Sequence, residues 1–206
     1  MNGSMAWAGV AMALGVVAAP SVASADTPPS VSIRQAMRGG SGCVSGRAPA
    51  ALTGDYERLL VMDGEVRAHA GPFVPLSEGR AFCQLTIELE HTPGWSYAVS
   101  SVSGHRGRTD LDDDITAMLT VERWFTGYRS DATSFEVGFA GPTGGPFFRR
   151  EPAQSTSPWS PCDASRPLNI KTSVLVSKRE SPHGVGSIAI TPSWGVQVLR
   201  LHWRKC

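Results

Sequence analysis

The chain has 206 residues, a formal net charge of +1 and a charged fraction of 18%, which is below the roughly 25% of an average globular protein. This charge balance gives no field that would attract nucleic acid, and the 41% hydrophobic fraction argues against intrinsic disorder. The 22 glycines and 15 prolines predict many turns and few long helices.

The N-terminal segment predicts export. Residues 1–25 contain no charged side chain, and the apolar run over residues 5–19 is followed by Pro20 and an Ala-Ser-Ala sequence ending at Ala25. A short apolar core that ends in Ala-x-Ala is typical of a secretory signal peptide, although this one has no Lys or Arg at its start. We expect cleavage after Ala25 and a secreted, extracellular product; the alternative is a buried apolar N-terminal helix. No later stretch of the sequence is long and apolar enough to predict a membrane span.

Residues 26–40 show no clear hydrophobic period and are interpreted as a flexible leader to a single domain over residues 41–206. Within that domain, apolar residues recur at every second position, which is typical of half-buried strands. The clearest strand covers residues 83–90, and similar patterns predict strands at 59–62, 95–102, 115–125, 135–139, 168–176, 185–190 and 197–203. Residues 115–123 could also form a short helix, but Val121, Trp124 and Phe125 favour a strand.

About eight one-sided strands separated by turn residues predict an all-β fold, an antiparallel two-sheet sandwich, in which residues 141–161 form the longest irregular stretch. The four cysteines are far apart and include no C-x-x-C pair, so two disulfides are expected, with three possible pairings. The four are Cys43, Cys83, Cys162 and Cys206. If the first and last strands lie side by side, Cys43 pairs with Cys206 and Cys83 with Cys162.

Several short motifs occur in a fixed order with these cysteines. They are Gly42-Cys43, the strand 82–87, Pro93-Gly94-Trp95, Gly104-His105-Arg106-Gly107 with Leu111, Trp159-Ser160-Pro161-Cys162, Leu168-Asn169-Ile170 and the terminal Trp203-Arg204-Lys205-Cys206. In this combination the chain resembles the secreted domain-of-unknown-function family numbered 4360, found in fungi and bacteria. The resemblance runs from about residue 42 to 206 and implies a compartment and a fold, but no activity.

The sequence contains no motif of a nucleophilic hydrolase, a zinc protease or a phosphate-binding loop. Asp110, Asp112 and Asp114 form the one dense acidic cluster, and they are a candidate calcium site or else a solvated turn. Apart from calcium, no cofactor is expected. Glu88 and Glu90 share the wet face of a predicted strand and could be paired catalytic carboxylates or ordinary surface charges.

Tryptophan is the other chemically informative residue type. Trp124, Trp159 and Trp194 fall at strand ends or in loops, where they could stack on a ligand or fill the core. We therefore interpret the protein as a non-enzymatic extracellular binding or surface module, monomeric, with cell-surface or wall polysaccharide as the candidate partner. The alternative is an extracellular hydrolase with an unrecognised active site.

Overall fold

A computed structural model describes residues 28, 30–62, 64–152, 155–178, 183–191 and 196–206. The predicted signal peptide and its cleavage site therefore lie outside the described residues, as does Trp194. Among the described residues, no helix has both the length and the apolar character needed to cross a membrane.

The described chain is almost entirely antiparallel β-structure, which confirms the predicted fold class. Two short 3-10 turns, Leu76–Gly79 and Arg129–Asp131, are the described helical elements. The fourteen strands are β1 (Val31–Gly39), β2 (Gly46–Arg47), β3 (Ala50–Leu52), β4 (Arg58–Met62), β5 (Val66–Ala70), β6 (Arg80–His91), β7 (Trp95–Ser101), β8 (His105–Leu111), β9 (Thr116–Phe125), β10 (Thr133–Ala140), β11 (Thr143–Arg149), β12 (Leu168–Ser177), β13 (Gly186–Thr191) and β14 (Val196–Lys205).

The strands form three hydrogen-bonded sheets, where the sequence predicted two. One sheet has six strands in the order β10-β9-β12-β6-β1-β2. The other two have the orders β11-β8-β13-β5 and β3-β4-β14-β7. These two sheets contain three pairs of strands that are consecutive in the chain, namely β4 and β5, β7 and β8, and β13 and β14. The members of each pair occupy corresponding positions in the two strand orders, with one order read in reverse. The two sheets therefore form one layer that is interrupted between the members of each pair. The sandwich is thus retained, with its second layer split in two.

Alternation of side chains along the central strands builds the core between the layers. In β6, Cys83, Leu85, Ile87 and Leu89 are buried while the residues between them are partly exposed. Because successive side chains of a strand point to opposite faces, this pattern places one face against the core and leaves the other accessible. The strands predicted at residues 59–62, 95–102, 115–125, 135–139, 168–176, 185–190 and 197–203 are all present, with strand rather than helix over 116–125.

The interpretation of residues 26–40 as a flexible leader is wrong for most of that segment. Residues 31–39 form β1, which pairs antiparallel with β6 and lies next to the short edge strand β2 of the six-stranded sheet. A register shift between Ile33 and Gln35 interrupts this strand and breaks its alternation, which is why the sequence shows no clean period there. The predicted irregular stretch 141–161 likewise contains β11, whose Gly- and Pro-rich sequence Thr-Gly-Gly-Pro hides it.

Both disulfides are present, but their pairing differs from the one predicted. Cys43 is bonded to Cys83 and Cys162 to Cys206, with Cα–Cα distances of 5.4 and 5.8 Å. The prediction placed the first and last strands side by side, whereas β1 lies in the six-stranded sheet and β14 in the opposite layer. Each disulfide instead joins neighbours within one layer.

The turn that leaves β1 brings Cys43 to Cys83. The Gly42 amide donates a hydrogen bond to the Phe82 carbonyl, directly before Cys83 in the chain. Gly40 has a φ of +150° there, and a Cβ at this position would lie 2.2 Å from the same carbonyl oxygen. Only glycine allows the two backbones to approach this closely.

The second disulfide closes the end of β14. The Cys206 amide donates to the Gly94 carbonyl at the start of β7, while the segment 155–160 runs along β7 through two backbone hydrogen bonds, Ser157 to Val99 and Ser160 to Tyr97. These contacts place Cys162 at the same end of the layer as Cys206.

Candidate functional site

The outer face of the six-stranded sheet carries an ordered set of mostly half-buried polar and aromatic side chains. The strand register places Trp124 of β9, Asn169 of β12 and Thr86 of β6 in one row across three adjacent strands. The next row contains Glu122, Lys171 and Gln84 on the same strands. We call the area covered by these two rows the amide platform.

Asn169 fixes the hydrogen bonds of the amide platform. Its Oδ1 accepts hydrogen bonds from Gln84 Nε2 at 3.0 Å and from Thr86 Oγ1 at 2.9 Å, and its Nδ2 donates to Thr126 Oγ1 at 2.9 Å. Asn169 is buried although it lies on the outward face, because Gln84, Thr86 and Trp124 surround it. The neighbouring side chains are therefore held in defined orientations, which lowers the entropy cost of binding a ligand.

Trp124 borders the platform and is half-buried. The guanidinium carbon of Arg129 lies 4.0 Å from the centroid of its ring, and Arg129 also forms an ion pair with Glu122. Lys171 Nζ lies 3.9 Å from the same Glu122 carboxylate and 5.0 Å from the ring centroid of Phe82. A chain of alternating charges thus connects two aromatic rings, which the register places about 16 Å apart.

Trp159 lies in the opposite layer, beside β7, and the structure does not bring it to Trp124. Its side chain is 38% exposed, and the guanidinium carbon of Arg204 lies 4.2 Å from its ring centroid. The three predicted tryptophans therefore do not form one described surface: Trp124 and Trp159 are on different layers.

The predicted calcium site lies at the end of β8 and in the turn before β9. Within the described ranges, no three His, Cys, Asp or Glu side chains come together in a way that could hold a metal ion. Asp112 instead accepts a hydrogen bond from the Val185 amide, which ties two loops together. Asp114 adopts a φ of 61° in the tight turn before β9. On the outer face of β6, Glu88 forms a partly exposed ion pair with Arg34.

A buried charge network lies between the layers, and sequence reasoning missed it. Glu151 Oε1 lies 2.6 Å from His105 Nε2. The Glu151 carboxylate also accepts hydrogen bonds from both terminal nitrogens of Arg123, at 2.5 and 2.7 Å. All three residues are buried. The available signal was the position of Arg123, which follows Leu119 and Val121 on the inward face of β9.

The network is built as a structural crosslink. Burial alone would raise the pKa of Glu151, but the hydrogen bonds from His105 and Arg123 and their charges outweigh this and lower the pKa to about 2. A cavity of about 20 Å³ beside His105, lined also by Thr172 and Gln197, has room for one water molecule. The His–carboxylate contact therefore anchors the segment after β11 to the core.

Comparison with known proteins identifies the family. The sequence model of the family described as "Domain of unknown function (DUF4360)" matches residues 29–206. The chain belongs to this family. The DUF4360 match includes β1, in agreement with the place of that strand in the sheet.

One relative of this DUF4360 protein is an "Uncharacterized secreted protein" of Arthroderma benhamiae, 28% identical over 185 residues, which cover 89% of this chain and 75% of the relative. The predicted extracellular location is confirmed by this relative, and the two disulfides agree with an oxidising compartment. Among solved structures, the agarase AgWH50C is 11% identical with a TM-score of 0.25, and the match covers 86% of this chain but 23% of the agarase. The module TmCBM61, solved in complex with beta-1,4-galactotriose, is 11% identical with a TM-score of 0.23 and coverages of 84% and 90%. At these TM-scores neither likeness carries an argument about function.

Proposed function

We propose that this protein is a non-enzymatic extracellular binding module whose amide platform binds a glycan chain of a cell surface or wall. The observation that carries the proposal is the row of Trp124, Asn169 and Thr86, in which an aromatic ring borders polar groups of fixed orientation on an accessible sheet face. A sugar ring presents apolar C–H groups on its faces and hydroxyl groups on its edge. An aromatic ring and adjacent amide groups complement these two kinds of surface.

The energetics require the platform to act as a unit. At exposed sites the Arg129 guanidinium stabilises its contact with Trp124 by about 0.5–1 kcal/mol. A sugar that replaces it gains a comparable amount from stacking, so stacking alone gives little net affinity. The hydrogen bonds of Gln84, Thr86 and the Glu122–Lys171 pair must supply the remainder, because micromolar binding requires about 8 kcal/mol.

Two substitutions separate the ring from the charge that covers it. Trp124→Ala should weaken glycan binding by about tenfold or more, whereas Arg129→Ala uncovers the ring and should preserve or strengthen binding. The oxidised chain would be tested in pull-downs with insoluble cellulose, chitin and β-1,3-glucan and by calorimetry with their soluble oligosaccharides. If both variants lose binding equally, the guanidinium and not the ring contacts the ligand, and the stacking proposal fails.

Trp159→Ala is the matched control, since Trp159 is also partly exposed and also covered by an arginine, but it lies on the other layer. It should leave glycan binding unchanged. A large fall in the melting temperature of Trp124→Ala would show that the ring acts in packing. Retained binding by Trp124→Ala, or no binding of the wild-type chain to any of these glycans, would contradict the proposal.

The hydrolase alternative makes a different prediction. It requires saturable release of product from an ester, peptide or glycoside substrate, with activity lost on Glu88→Gln or on substitution of a histidine. Chromatographic analysis of the same glycan incubations would detect such products, and their appearance would replace the binding proposal.

A further inference from the structure

The other end of the same sheet face carries an apolar groove. Three adjoining depressions, of about 570, 420 and 230 Å³, lie over the end of the six-stranded sheet away from Trp124. Leu175 lines all three, while Met118 and Arg80 each line two. We call this surface the Leu175 groove. The two larger depressions fall within the range of about 300–1,000 Å³ that is usual for small-molecule sites.

One row of side chains forms the floor of the groove. The register places Gly138 opposite Met118, Met118 opposite Leu175, and Leu175 opposite Arg80 on four adjacent strands. Leu175 is 37% exposed and Met118 38% exposed, although both lie on central strands of the sheet. Together with the depressions above them, these two adjoining apolar side chains give the groove an apolar floor.

The charged residues that line the groove itself are all cationic. The residues that line the three depressions include Arg80, Lys171 and Lys178 and no carboxylate. Lys171 is engaged with Glu122 and Phe82, and Lys178 Nζ donates to the Gly71 carbonyl. Arg80 has no ion-pair partner among the described residues and lies directly beside Leu175. A purely apolar ligand would not need this cation, so the charge complements an anionic group.

At the far side of the row, the floor lacks a side chain. A Cβ built on Gly138 meets no atom within 4 Å, and the φ of this residue is outside the left-handed region. Any L-amino acid could therefore occupy position 138 without backbone strain. The glycine leaves open the space next to Met118, where Phe139 and Ala140 form the wall.

We propose that the Leu175 groove binds a single-chain amphiphile with a carboxylate head, placing the head on Arg80 and the acyl chain over Leu175 and Met118 toward Gly138. The groove adjoins the amide platform at Lys171, but Arg80, Leu175, Met118 and Gly138 lie outside the platform. The ligand class follows from the row of residues on the floor. The Arg80 guanidinium at one end complements a single anionic head, and the narrow apolar row of Leu175 and Met118 fits one acyl chain.

Calorimetric titration of the oxidised chain with dodecanoate, below its micelle concentration, tests the proposal. Gly138→Leu should fill the groove and weaken binding by about tenfold or more. Gly54→Leu is the matched control, because a Cβ there also meets no atom within 4 Å and the residue lies in an exposed turn away from the sheet face. It should bind dodecanoate as the wild type does.

The head group is tested separately. Arg80→Gln removes one charge-assisted contact and should weaken dodecanoate binding by about tenfold, while dodecyltrimethylammonium, with the opposite charge, should bind poorly to the wild type. If Gly138→Leu fails to fold, Leu175→Glu places a like charge in the groove and should abolish dodecanoate binding. Thermal unfolding of each variant verifies its fold.

Three outcomes would overturn the proposal. The first is no saturable dodecanoate binding by the wild type, and the second is equal binding by wild type and folded Gly138→Leu. The third is a concentration-dependent dimer in analytical ultracentrifugation that Gly138→Leu dissociates, which would make the groove an interface between two copies. That measurement also tests the predicted monomer. Loss of dodecanoate binding on Gly138→Leu with intact glycan binding would separate this site from the proposed function.

Discussion

The buried Glu151 carboxylate should make the stability of the fold depend on pH in acid. Its pKa is about 2 in the folded chain, against an ordinary value of 4.5. Because the folded pKa is the lower one, the carboxylate stabilises the fold above about pH 4.5, and this stabilisation is lost as the pH falls toward 2. The difference between the two pKa values corresponds to about 3 kcal/mol.

Glu151→Gln removes the charge but keeps the shape of the side chain. At pH 7 it leaves the Arg123 guanidinium buried without a counter-charge, and loss of one partner of a buried ion pair costs about 3–5 kcal/mol. At pH 2.5 the wild type has already lost most of the carboxylate contribution. The difference in unfolding free energy between wild type and variant should therefore shrink to about 1–2 kcal/mol.

Urea unfolding at pH 7 and pH 2.5, followed by tryptophan fluorescence with both disulfides intact, measures this difference. Glu88→Gln is the control, because Glu88 pairs with Arg34 at the surface, where ion pairs contribute about 0–1 kcal/mol. Its difference from the wild type should be small at both pH values. If Glu151→Gln destabilises the fold equally at pH 7 and pH 2.5, the buried charge is not the source of the stability.

Three further predictions concern the fold. Peptide mapping without reduction should yield Cys43–Cys83 and Cys162–Cys206, and recovery of a Cys43–Cys206 peptide would refute the pairing. The Cys43→Ser/Cys83→Ser double variant should lose about 4 kcal/mol of unfolding free energy, because the disulfide closes a loop with a sequence separation of 40 residues. Gly107→Ala should lower the free energy of chemical unfolding by about 3 kcal/mol, because the new Cβ would lie 2.1 Å from the Ala189 carbonyl oxygen. Gly138→Ala should change it by less than about 0.5 kcal/mol, and equal effects of the two variants would contradict the close packing of β8 against β13. Leu119→Ala should lower the unfolding free energy by about 2–5 kcal/mol and Met118→Ala by less than about 1 kcal/mol, because Leu119 faces the core and Met118 faces outward. A lower melting temperature for Met118→Ala than for Leu119→Ala would show that the assignment of the two faces of β9 is wrong.

The local pattern of the sequence was enough to predict the strands with clean alternation. Residues 83–90 alternate strictly and residues 168–176 mostly do so, because one side of each strand meets the core and the other faces outward. Where the backbone departs from that geometry, the pattern disappears. The register shift in β1 and the glycines of β11 are two such places, and both strands were missed.

For the candidate site, the sequence singled out Trp124 but not its neighbours. Asn169 and Gln84 lie 45 and 40 residues from Trp124 in the chain, and only the pairing of β9 with β12 and of β12 with β6 brings them together. The sequence also named Trp159 as a candidate, but the position of a residue in a loop does not say which layer it reaches, and Trp159 lies on the opposite layer from Trp124.

The sequence by itself determined the class of the fold, because hydrophobic period and turn residues are local properties that strands express wherever they lie. It also determined that the cysteines form disulfides, because export into an oxidising compartment favours bonded over free thiols. Only the tertiary structure decided which cysteines meet, that Arg123 and Glu151 share a buried position, and that Met118, Leu175 and Arg80 form one row. These depend on which strand pairs with which and in what register. Alternation shows that a side chain faces inward or outward, but not which distant residue lies opposite it.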